Sequence, residues 1–555
     1  MMDASNLTLS HSKTTKSHTA RPLPVNGGLS PYSGPWTYET AAHLLRRTMF
    51  GPTHEQIKQV VSDGLTATLV KLTSKPTRQP NPPVTYTESI VDPNVKKGET
   101  WVRAALGQNI QGLVQLKENS LYAWMMELMF NETVSMTEKM TLFWHNHFVT
   151  SDIYDPRMVY DYISLLRNHS LGNFKQLTKD IAIDKAMLIY LNGNQNSRVA
   201  PNENFARELM ELFTLGKGET AGPGDYTTFT EMDVLAIAKA LTGYTIFTDR
   251  NNPDLYPEVR YIQNRHDTTT KQLSHRFNNI QIPNANATEY QNVIDIIFAK
   301  REAATFICRK LYNFFIYYKI DDAIEQEIVD GMADILIASN FEISPVLNTL
   351  FASEHFYSIE ALGCLIRAPY EYMFNTLKTL RFVPPTDLEQ KYNLFASIYR
   401  NFSGMQQTYF NIPTVAGWDP YHQEPAYHEI WINSATLPFR VAFNTQFVNK
   451  SFRARNVTGT FGLDLPEYVK SLSNPSNVNE LINEVVKHLL PQPIEQKQKD
   501  ALKRVLLGNL TEAQWTTNWN NYANNPGNAQ AKTAVDNRLK PFFSTLLNMP
   551  EYHLS

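Results

Sequence analysis

The sequence predicts a mainly α fold: a large multi-helix globular domain with long loops and at most a small β hairpin. Apolar residues recur at helical spacing through most of the 555 residues. Helix-start patterns support this, as where Thr230 precedes Asp233 by three residues, the spacing of a capping box. Alternating apolar strands are scarce, and only a segment such as Ile280-Gln281-Ile282 suggests a small hairpin.

The helical elements follow in chain order. Thr37 is expected to cap a first helix, which Gly51-Pro52 ends. Ser135 and Glu138 predict a capping box for a second helix, with an apolar face carrying Met136, Met140, Phe143, Trp144 and His147. The helix after Thr230 is expected to end at Gly243. Further helical patterns cover 286–319, 323–339, 361–381, 478–490, 494–507 and 529–548. Long loops are expected at 75–99, 245–284 and 409–431.

Composition excludes several classes of protein. With 51 basic and 54 acidic residues the formal net charge is −3, which argues against a dedicated nucleic-acid binder. Cys308 and Cys364 are the only cysteines, too few for a disulfide scaffold or a cysteine-built zinc site. No apolar run approaches the ~18 residues that predict a transmembrane helix. A hydrophobic content of 42% is enough for a substantial core.

The pattern divides the chain into three parts. Residues 1–35 are rich in Ser, Thr, His, Pro and Gly, and predict a disordered N-terminal tail. Residues 36–450 form the predicted main helical domain, and residues 451–555 a C-terminal helical segment packed on it. The start of the chain lacks the apolar stretch of a secretory signal, so we expect a cytoplasmic location, with a non-standard export route left open.

The stretch Asn202 to Gly216 predicts an amphipathic helix. Glu203, Arg207 and Glu211 share its polar face at i, i+4 and i+8, an ion-pair ladder worth about 0.3–0.5 kcal/mol per pair. Asn204 and Glu208 lie where the polar and apolar faces meet, so a carboxylate there would be half-buried and need a partner. Two interpretations stay open: a solvated helix with ion pairs, or a site built on Asn204, Glu208 and Arg207.

Two histidines end the helix that follows Ser135. Residues two apart on a regular helix point about 200° apart, so His145 and His147 cannot bind one metal ion together unless the helix ends there. His147 lies on the apolar face and is either a hydrogen-bonded core histidine or a general base.

His266 and Asp267, followed by Lys271, lie in a predicted polar loop. An adjacent His and Asp can bind a metal ion or transfer protons, but Asp267 can equally cap a turn. The aromatic loop at 409–431 contains Trp418 and Trp431, which can stack on a ligand or pack over the helices. For this loop the pattern favours packing.

Several motifs in order resemble a large bacterial family known only as domain of unknown function 1800 (DUF 1800). The matching segments begin at residue 43 with a stretch containing Arg47, and include residues 143–148, 202–216, 230–233, 240–244, 266–271, 367–369, 412–418, 431–433 and 549–552. The resemblance implies a predominantly helical protein, often encoded near a sulfatase-like protein, which becomes a possible partner. Many relatives have export signals. Some have His where this chain has Phe213, which implies altered chemistry if that His is a ligand.

Two functions remain open from the sequence. The favoured one is a structural or partner-binding protein with a buried His/Glu/Asp/Arg polar cluster, for which we expect an exposed apolar patch near Trp418 and Trp431. The alternative is a metal-dependent, hydrolase-like enzyme. Its proposed catalytic residues are His147, Glu208, His266 and Asp267, and its proposed metal ligands are His145, His147 and Glu208. Predicted binding residues are Arg47, Asn204, Arg207, Lys271, Trp418 and Trp431.

Overall fold

The computed structural model describes residues 21–247, 252 and 254–555 of the chain, and the fold is mainly α-helical as predicted. The helices are α1 Tyr38–Thr48, α2 His54–Asp63, α3 Leu65–Thr73, α4 Leu113–Phe130, α5 Thr137–His147, α6 Pro156–Asn168, α7 Phe174–Ile181, α8 Lys185–Tyr190, α9 Glu203–Glu211, α10 Glu231–Ala240, α11 Glu289–Phe298, α12 Arg301–Phe315, α13 Asp322–Ile324, α14 Asp330–Ala338, α15 Ile343–Phe351, α16 Pro369–Thr379, α17 Leu388–Gly404, α18 Leu437–Val448, α19 Leu465–Lys470, α20 Val478–Leu489, α21 Gln496–Leu507, α22 Glu512–Asn524 and α23 Ala529–Leu546.

The β structure consists of small antiparallel hairpins. The strands are β1 Thr220–Gly222, β2 Asp225–Tyr226, β3 Tyr244–Phe247, β4 Glu258–Tyr261, β5 Lys271–Gln272 and β6 Gln281–Ile282. They pair β1 with β2, β3 with β4 and β5 with β6. In the last pair Lys271 lies opposite Ile282, so the hairpin predicted at Ile280–Ile282 is confirmed. All three hairpins lie between α9 and α11, where they cover one region of the helical body.

The predicted helix starts are confirmed at two places and wrong at one. Thr37 caps α1, and Thr230 with Asp233 forms the capping box of α10. Ser135 and Glu138 form no capping box, because α5 begins two residues later at Thr137. The Ser135 hydroxyl accepts from the Thr137 backbone N–H, and the Glu138 carboxylate accepts from Arg167. Glu138 is buried, and an ion pair with a neighbouring helix satisfies it better than a local cap.

One continuous hydrophobic core joins both predicted helical parts of the chain. The long helices α4 and α17 pack along each other, and α23 packs against α18, α19, α21 and α22. The C-terminal segment contacts the first helix directly, since the Arg46 guanidinium donates to the carbonyl of His488 at 2.9 Å. Among the described residues, no helix has both the length and the apolar content needed to cross a bilayer.

The predicted N-terminal tail falls partly outside the described residues. Residues 1–20 are not described, whereas residues 21–35 lie against the helical body. Leu23 is buried, and the backbone N–H of Tyr32 donates to the carbonyl of Ala352 at 2.7 Å. The segment from residue 21 to residue 35 therefore contacts the end of α15.

Candidate metal centre

A cluster of two histidines and one glutamate joins the start of α2 to the end of α20. His54, Glu484 and His488 each offer one ligand atom, and these atoms lie within 4.8 Å of one another. Nε2 of His488 lies 3.9 Å from Oε1 of Glu484. Ligand atoms on a tetrahedral zinc shell with bonds of about 2.1 Å are about 3.4 Å apart, so the separations in the cluster would have to shorten for all three residues to bind one ion.

Local sequence explains why His54 is placed at a helix start. Gly51 has φ of +74°, and a Cβ there would come within 2.5 Å of the Cα of Asn375, so the chain passes α16 at close range. Thr53 then caps α2 through a reciprocal capping box with Gln56. His54 is the first helical residue, and its side chain is directed toward the C-terminal segment.

Helical spacing places the other two members together. Glu484 and His488 are four residues apart on α20, so their side chains lie on the same face, one turn apart. Asn477 fixes the start of this helix by accepting from the backbone N–H groups of Asn479 and Glu480.

Each imidazole is held by a tyrosine hydroxyl. Nδ1 of His54 lies 3.0 Å from the Tyr38 hydroxyl, and Nδ1 of His488 lies 3.2 Å from the Tyr468 hydroxyl. Such contacts fix the ring orientation of metal-binding histidines and leave Nε2 for the ion. Nε2 of His54 is buried and has no hydrogen-bond partner, as is also true of Nε2 of His428 and Nδ1 of His553.

Both histidines are neutral at ordinary pH. Burial and the charge of Lys58 lower the pKa of His54 to about 4. Burial and the nearby His54 and Arg46 lower the pKa of His488 to about 2. The centroids of the two rings are only 3.7 Å apart, so two protonated imidazoles would repel each other in this arrangement. Neutral imidazole is the form that binds metal ions, so the electrostatics suit a ligand role.

The cluster opens onto a cavity of about 390 Å³. Its lining residues are Tyr38, His54, Lys58, Ser473, Glu480, Asn483, Glu484, Lys487 and His488. Three protein ligands beside an open space are the arrangement of catalytic zinc sites, whereas structural zinc sites are closed by four protein ligands. Two imidazoles and a carboxylate suit Zn²⁺, Mn²⁺ or Fe²⁺.

The residues predicted from the first histidine pair lie in separate environments. His145 contacts the Tyr162 hydroxyl at 3.1 Å through Nδ1 and the carbonyl of Tyr409 through Nε2, and burial lowers its pKa to about 4. His147 donates from Nε2 to the carbonyl of Phe213 at 2.9 Å. Both rings are therefore fully engaged with protein groups.

The half-buried Glu208 does not join these histidines. Within the described residues, no hydrogen bond or ion pair connects its carboxylate to His145 or His147. Partial burial and the charge of Glu211 raise the pKa of Glu208. The structure thus does not bring together the three residues that the sequence suggested as metal ligands, and their roles stay predictions.

The polar face of α9 forms ion pairs with α10. Arg207 binds both carboxylate oxygens of Glu231, at 2.8 and 2.6 Å, and lies 3.6 Å from Glu203. Asn204 is exposed. This arrangement matches the solvated-helix interpretation of the stretch, with the ladder extended to the neighbouring helix.

His266, Asp267 and Lys271 come together, and a fourth residue completes their cluster. Nε2 of His266 lies 3.1 Å from Oε2 of Glu289, and Nζ of Lys271 lies 2.5 Å from Oε1 of the same carboxylate. Nδ1 of His266 contacts the carbonyl of Thr242 at 2.9 Å. The Asp267 carboxylate accepts from Thr269, as a turn cap does. The side chains of His266, Lys271 and Glu289 are wholly buried, so this network links loop, hairpin and helix without access for a substrate.

The remaining predicted binding residues are buried. Arg47 donates to the carbonyl of Ala361 at 2.7 Å and to Cys364 Sγ at 3.1 Å, so it ties α1 to the segment before α16. Trp418 is 1% and Trp431 2% exposed. The tryptophans themselves therefore form no part of an exposed apolar surface, which agrees with the packing interpretation of the aromatic loop.

Sequence reasoning missed all three members of the metal cluster. Glu484 and His488 at i, i+4 inside a predicted helix were a usable signal, since that spacing puts a carboxylate and an imidazole on one face. His54 carried no such signal, because its partners are more than 400 residues away.

One family model matches the chain, over residues 43–554, and its description is "Protein of unknown function (DUF1800)". No match was found among curated proteins or among solved structures.

Proposed function

This chain belongs to the DUF1800 family of proteins of unknown function, and we propose that it binds a divalent transition-metal ion at His54, Glu484 and His488 for hydrolytic chemistry. The observation that carries the proposal is the grouping of a carboxylate and two neutral imidazoles within 4.8 Å, with the buried Nε2 of His54 left without a hydrogen-bond partner. A bound ion would give that nitrogen the partner that buried polar atoms normally have.

Hydrolysis is supported by the open side of the cluster. A divalent ion held by His54, Glu484 and His488 would supply Lewis-acid chemistry toward a substrate in the cavity. The tyrosines Tyr38 and Tyr468 keep the imidazoles in place, and Glu484 contributes the negative charge that offsets the ion.

With a divalent ion bound, the positive charges around the cavity would outnumber the carboxylates of Glu480 and Glu484, which favours an anionic substrate. Lys58 and Lys487 line it, and Lys58 and Arg46 are among the positive charges that lower the histidine pKa values. Lys487 is also paired with Glu39 at 2.9 Å, so its amine is held at the rim. Cationic side chains beside a metal ion suit phosphate or carboxylate groups.

Metal content tests the binding step. The full chain, stripped with a chelator and then titrated with Zn²⁺ or Mn²⁺, is expected to bind one ion per chain by calorimetry and elemental analysis. His488→Ala and Glu484→Gln should abolish this binding, and His275→Ala, at an exposed histidine outside the cluster, should not.

The same titration separates the two candidate ligand sets. Loss of binding in His147→Ala and Glu208→Gln, with binding retained in His488→Ala, would transfer the proposal to the residues first suggested by sequence. Wild-type chain that binds no ion above background would refute it.

Activity is measured separately on chromogenic phosphate and carboxylate esters. Turnover is expected with added metal ion and not with chelator, and His54→Ala should remove it. If the ion binds but no turnover depends on it, the proposal of hydrolysis is overturned and the proposal of a metal site stands. The site would then be structural or sensory.

A further inference from the structure

We propose that a second cavity, between α4, α17 and the segment after α5, binds a compact organic cation such as a quaternary ammonium group. This cavity has a volume of about 430 Å³, within the range of small-molecule sites. Its aromatic lining residues are Tyr122, Tyr154, Tyr399 and Phe410, and its charged ones are Glu118 and Asp152. Of the described residues that line it, none is Lys, Arg or His.

The aromatic rings form one wall. Tyr122 stacks on Tyr399 with centroids 4.2 Å apart, and on Phe410 with centroids 5.1 Å apart. The Tyr399 and Phe410 centroids are only 6.1 Å apart, too close for these rings to cover opposite faces of Tyr122. One face of Tyr122 is therefore left uncovered by either ring. The face of a tyrosine attracts a cation through the ring quadrupole.

Tyr154 adds a partly exposed aromatic side chain at the edge of the cavity. Tyr154 is 52% exposed, whereas the next residue, Asp155, is buried. A ligand that brings Tyr154 over its positive group would bury part of this ring. Aromatic residues arranged around a small space are the recognised way in which proteins bind quaternary ammonium groups.

Both charged residues of the lining, Glu118 and Asp152, are acidic. Burial raises the pKa of Tyr122 to about 12, and the charges of Glu118 and Asp152 act in the same direction, which places both carboxylates near its hydroxyl. The Asp152 carboxylate has no hydrogen bond or ion pair within the described part of the chain. Arg400, the positive charge that acts on Tyr122, donates instead to Asn119 at 2.9 Å.

This charge pattern decides between ligand classes. Two carboxylates without a cationic side chain repel phosphates and carboxylates. A neutral sugar would gain hydrogen bonds from Ser151 and Asn411, but it would not use the unpaired negative charge. An organic cation uses both features, because it offsets the carboxylates and lies against the aromatic wall.

Calorimetry on the full chain tests the proposal with choline and its uncharged carbon isostere, 3,3-dimethyl-1-butanol. Choline is expected to bind with a dissociation constant in the millimolar range or below, and the isostere about tenfold more weakly or not at all. Equal affinity for the two would overturn the proposal, as would no choline binding up to about 10 mM. Binding of glucose or maltose without choline would also overturn it.

Variants at exposed positions locate the site without threatening the fold. Tyr154→Ala should weaken choline binding about fivefold, and Tyr154→Phe should retain it, because the ring face and not the hydroxyl is used. Asp152→Asn should weaken binding and reduce its salt dependence. Glu495→Gln, at an exposed carboxylate elsewhere, is the matched control. Unchanged binding in both Tyr154→Ala and Asp152→Asn would refute this location.

Discussion

Nζ of Lys310 lies 3.3 Å from Nδ1 of His147, at the carboxyl-terminal end of α9. His147 donates from Nε2 to the carbonyl of Phe213, so its Nδ1 is the acceptor for the lysine amine. Lys310 also donates to the carbonyl of Leu212 at 3.0 Å. The pair thus caps carbonyl groups that the end of a helix leaves without partners.

Burial keeps this pair close to neutral. Loss of solvent lowers the pKa of Lys310 to about 7, and burial together with the charge of Lys310 lowers the pKa of His147. The histidine that the sequence suggested as a general base therefore stays unprotonated, with both nitrogens occupied. This environment fits a role in fixing the end of α9.

The lowered pKa of Lys310 gives a pH dependence of stability above neutrality. In the unfolded chain a lysine titrates near pH 10.4, so between pH 7 and 10 the unfolded state binds the extra proton. The free energy of unfolding should rise with pH in that window, by up to about 1.4 kcal/mol per unit from this group. Lys310→Met should lose this slope in urea titrations, and Lys497→Met, at an exposed lysine, should keep it. Parallel slopes for Lys310→Met and wild type would contradict the assignment.

Buried histidines predict a pH dependence of stability below neutrality. Burial lowers the pKa of His54, His145 and His428 to about 4 in the folded state, against about 6.5 unfolded. The unfolded state then binds more protons between these values, so stability is present above pH 6.5 and decreases as the pH falls toward 4. Urea titrations from pH 7 to 4.5 should show this loss, and His145→Gln should reduce it. The exposed His275→Gln should leave it unchanged, and a flat wild-type profile would argue against burial of the three rings.

The tyrosines behind the proposed metal ligands should tune affinity without removing the site. Tyr468→Phe deletes the hydroxyl that holds His488, and Tyr38→Phe deletes the one that holds His54. Loss of such a contact typically costs about 10–100-fold in metal affinity. Calorimetry should show weaker metal binding with the stoichiometry still at one ion per chain. Tyr427→Phe, a tyrosine far from the cluster in sequence and contacts, should bind as wild type does.

The carboxylate of Glu289 should be essential for stability. Glu289→Gln leaves the buried Lys271 charge with only the more distant carboxylate of Asp267, at 3.9 Å, and breaking a buried pair typically costs about 3–5 kcal/mol. Glu203→Gln, in a partly exposed pair with Arg207, should cost less than about 1 kcal/mol. Chemical denaturation measures both. If the two variants lose similar stability, the buried network does not hold loop, hairpin and helix together.

Helix content was predictable because its signals are local. Spacing around Thr230 and Asp233 predicted a capped helix, and the structure has it. The same reasoning failed at Ser135, where Arg167, distant in sequence, takes the Glu138 carboxylate that a capping box would use. The pattern at 286–319 also merged two helices, α11 and α12, which are separated at Lys300, where the lysine side chain donates to the carbonyls of Thr228 and Arg276.

The sequence by itself determined the helical class, the small hairpin at Ile282 and the pairing of Glu203 with Arg207, since each depends on residues close in the chain. It also determined the family, through motifs that keep their order along the chain. Only the tertiary structure decided which polar residues meet. It placed His54 beside His488, joined His266 to Glu289, and buried Trp418 and Trp431 under the helices. The physical reason is that periodicity fixes the direction of a side chain on its own helix, whereas the partner that satisfies it depends on how distant helices pack.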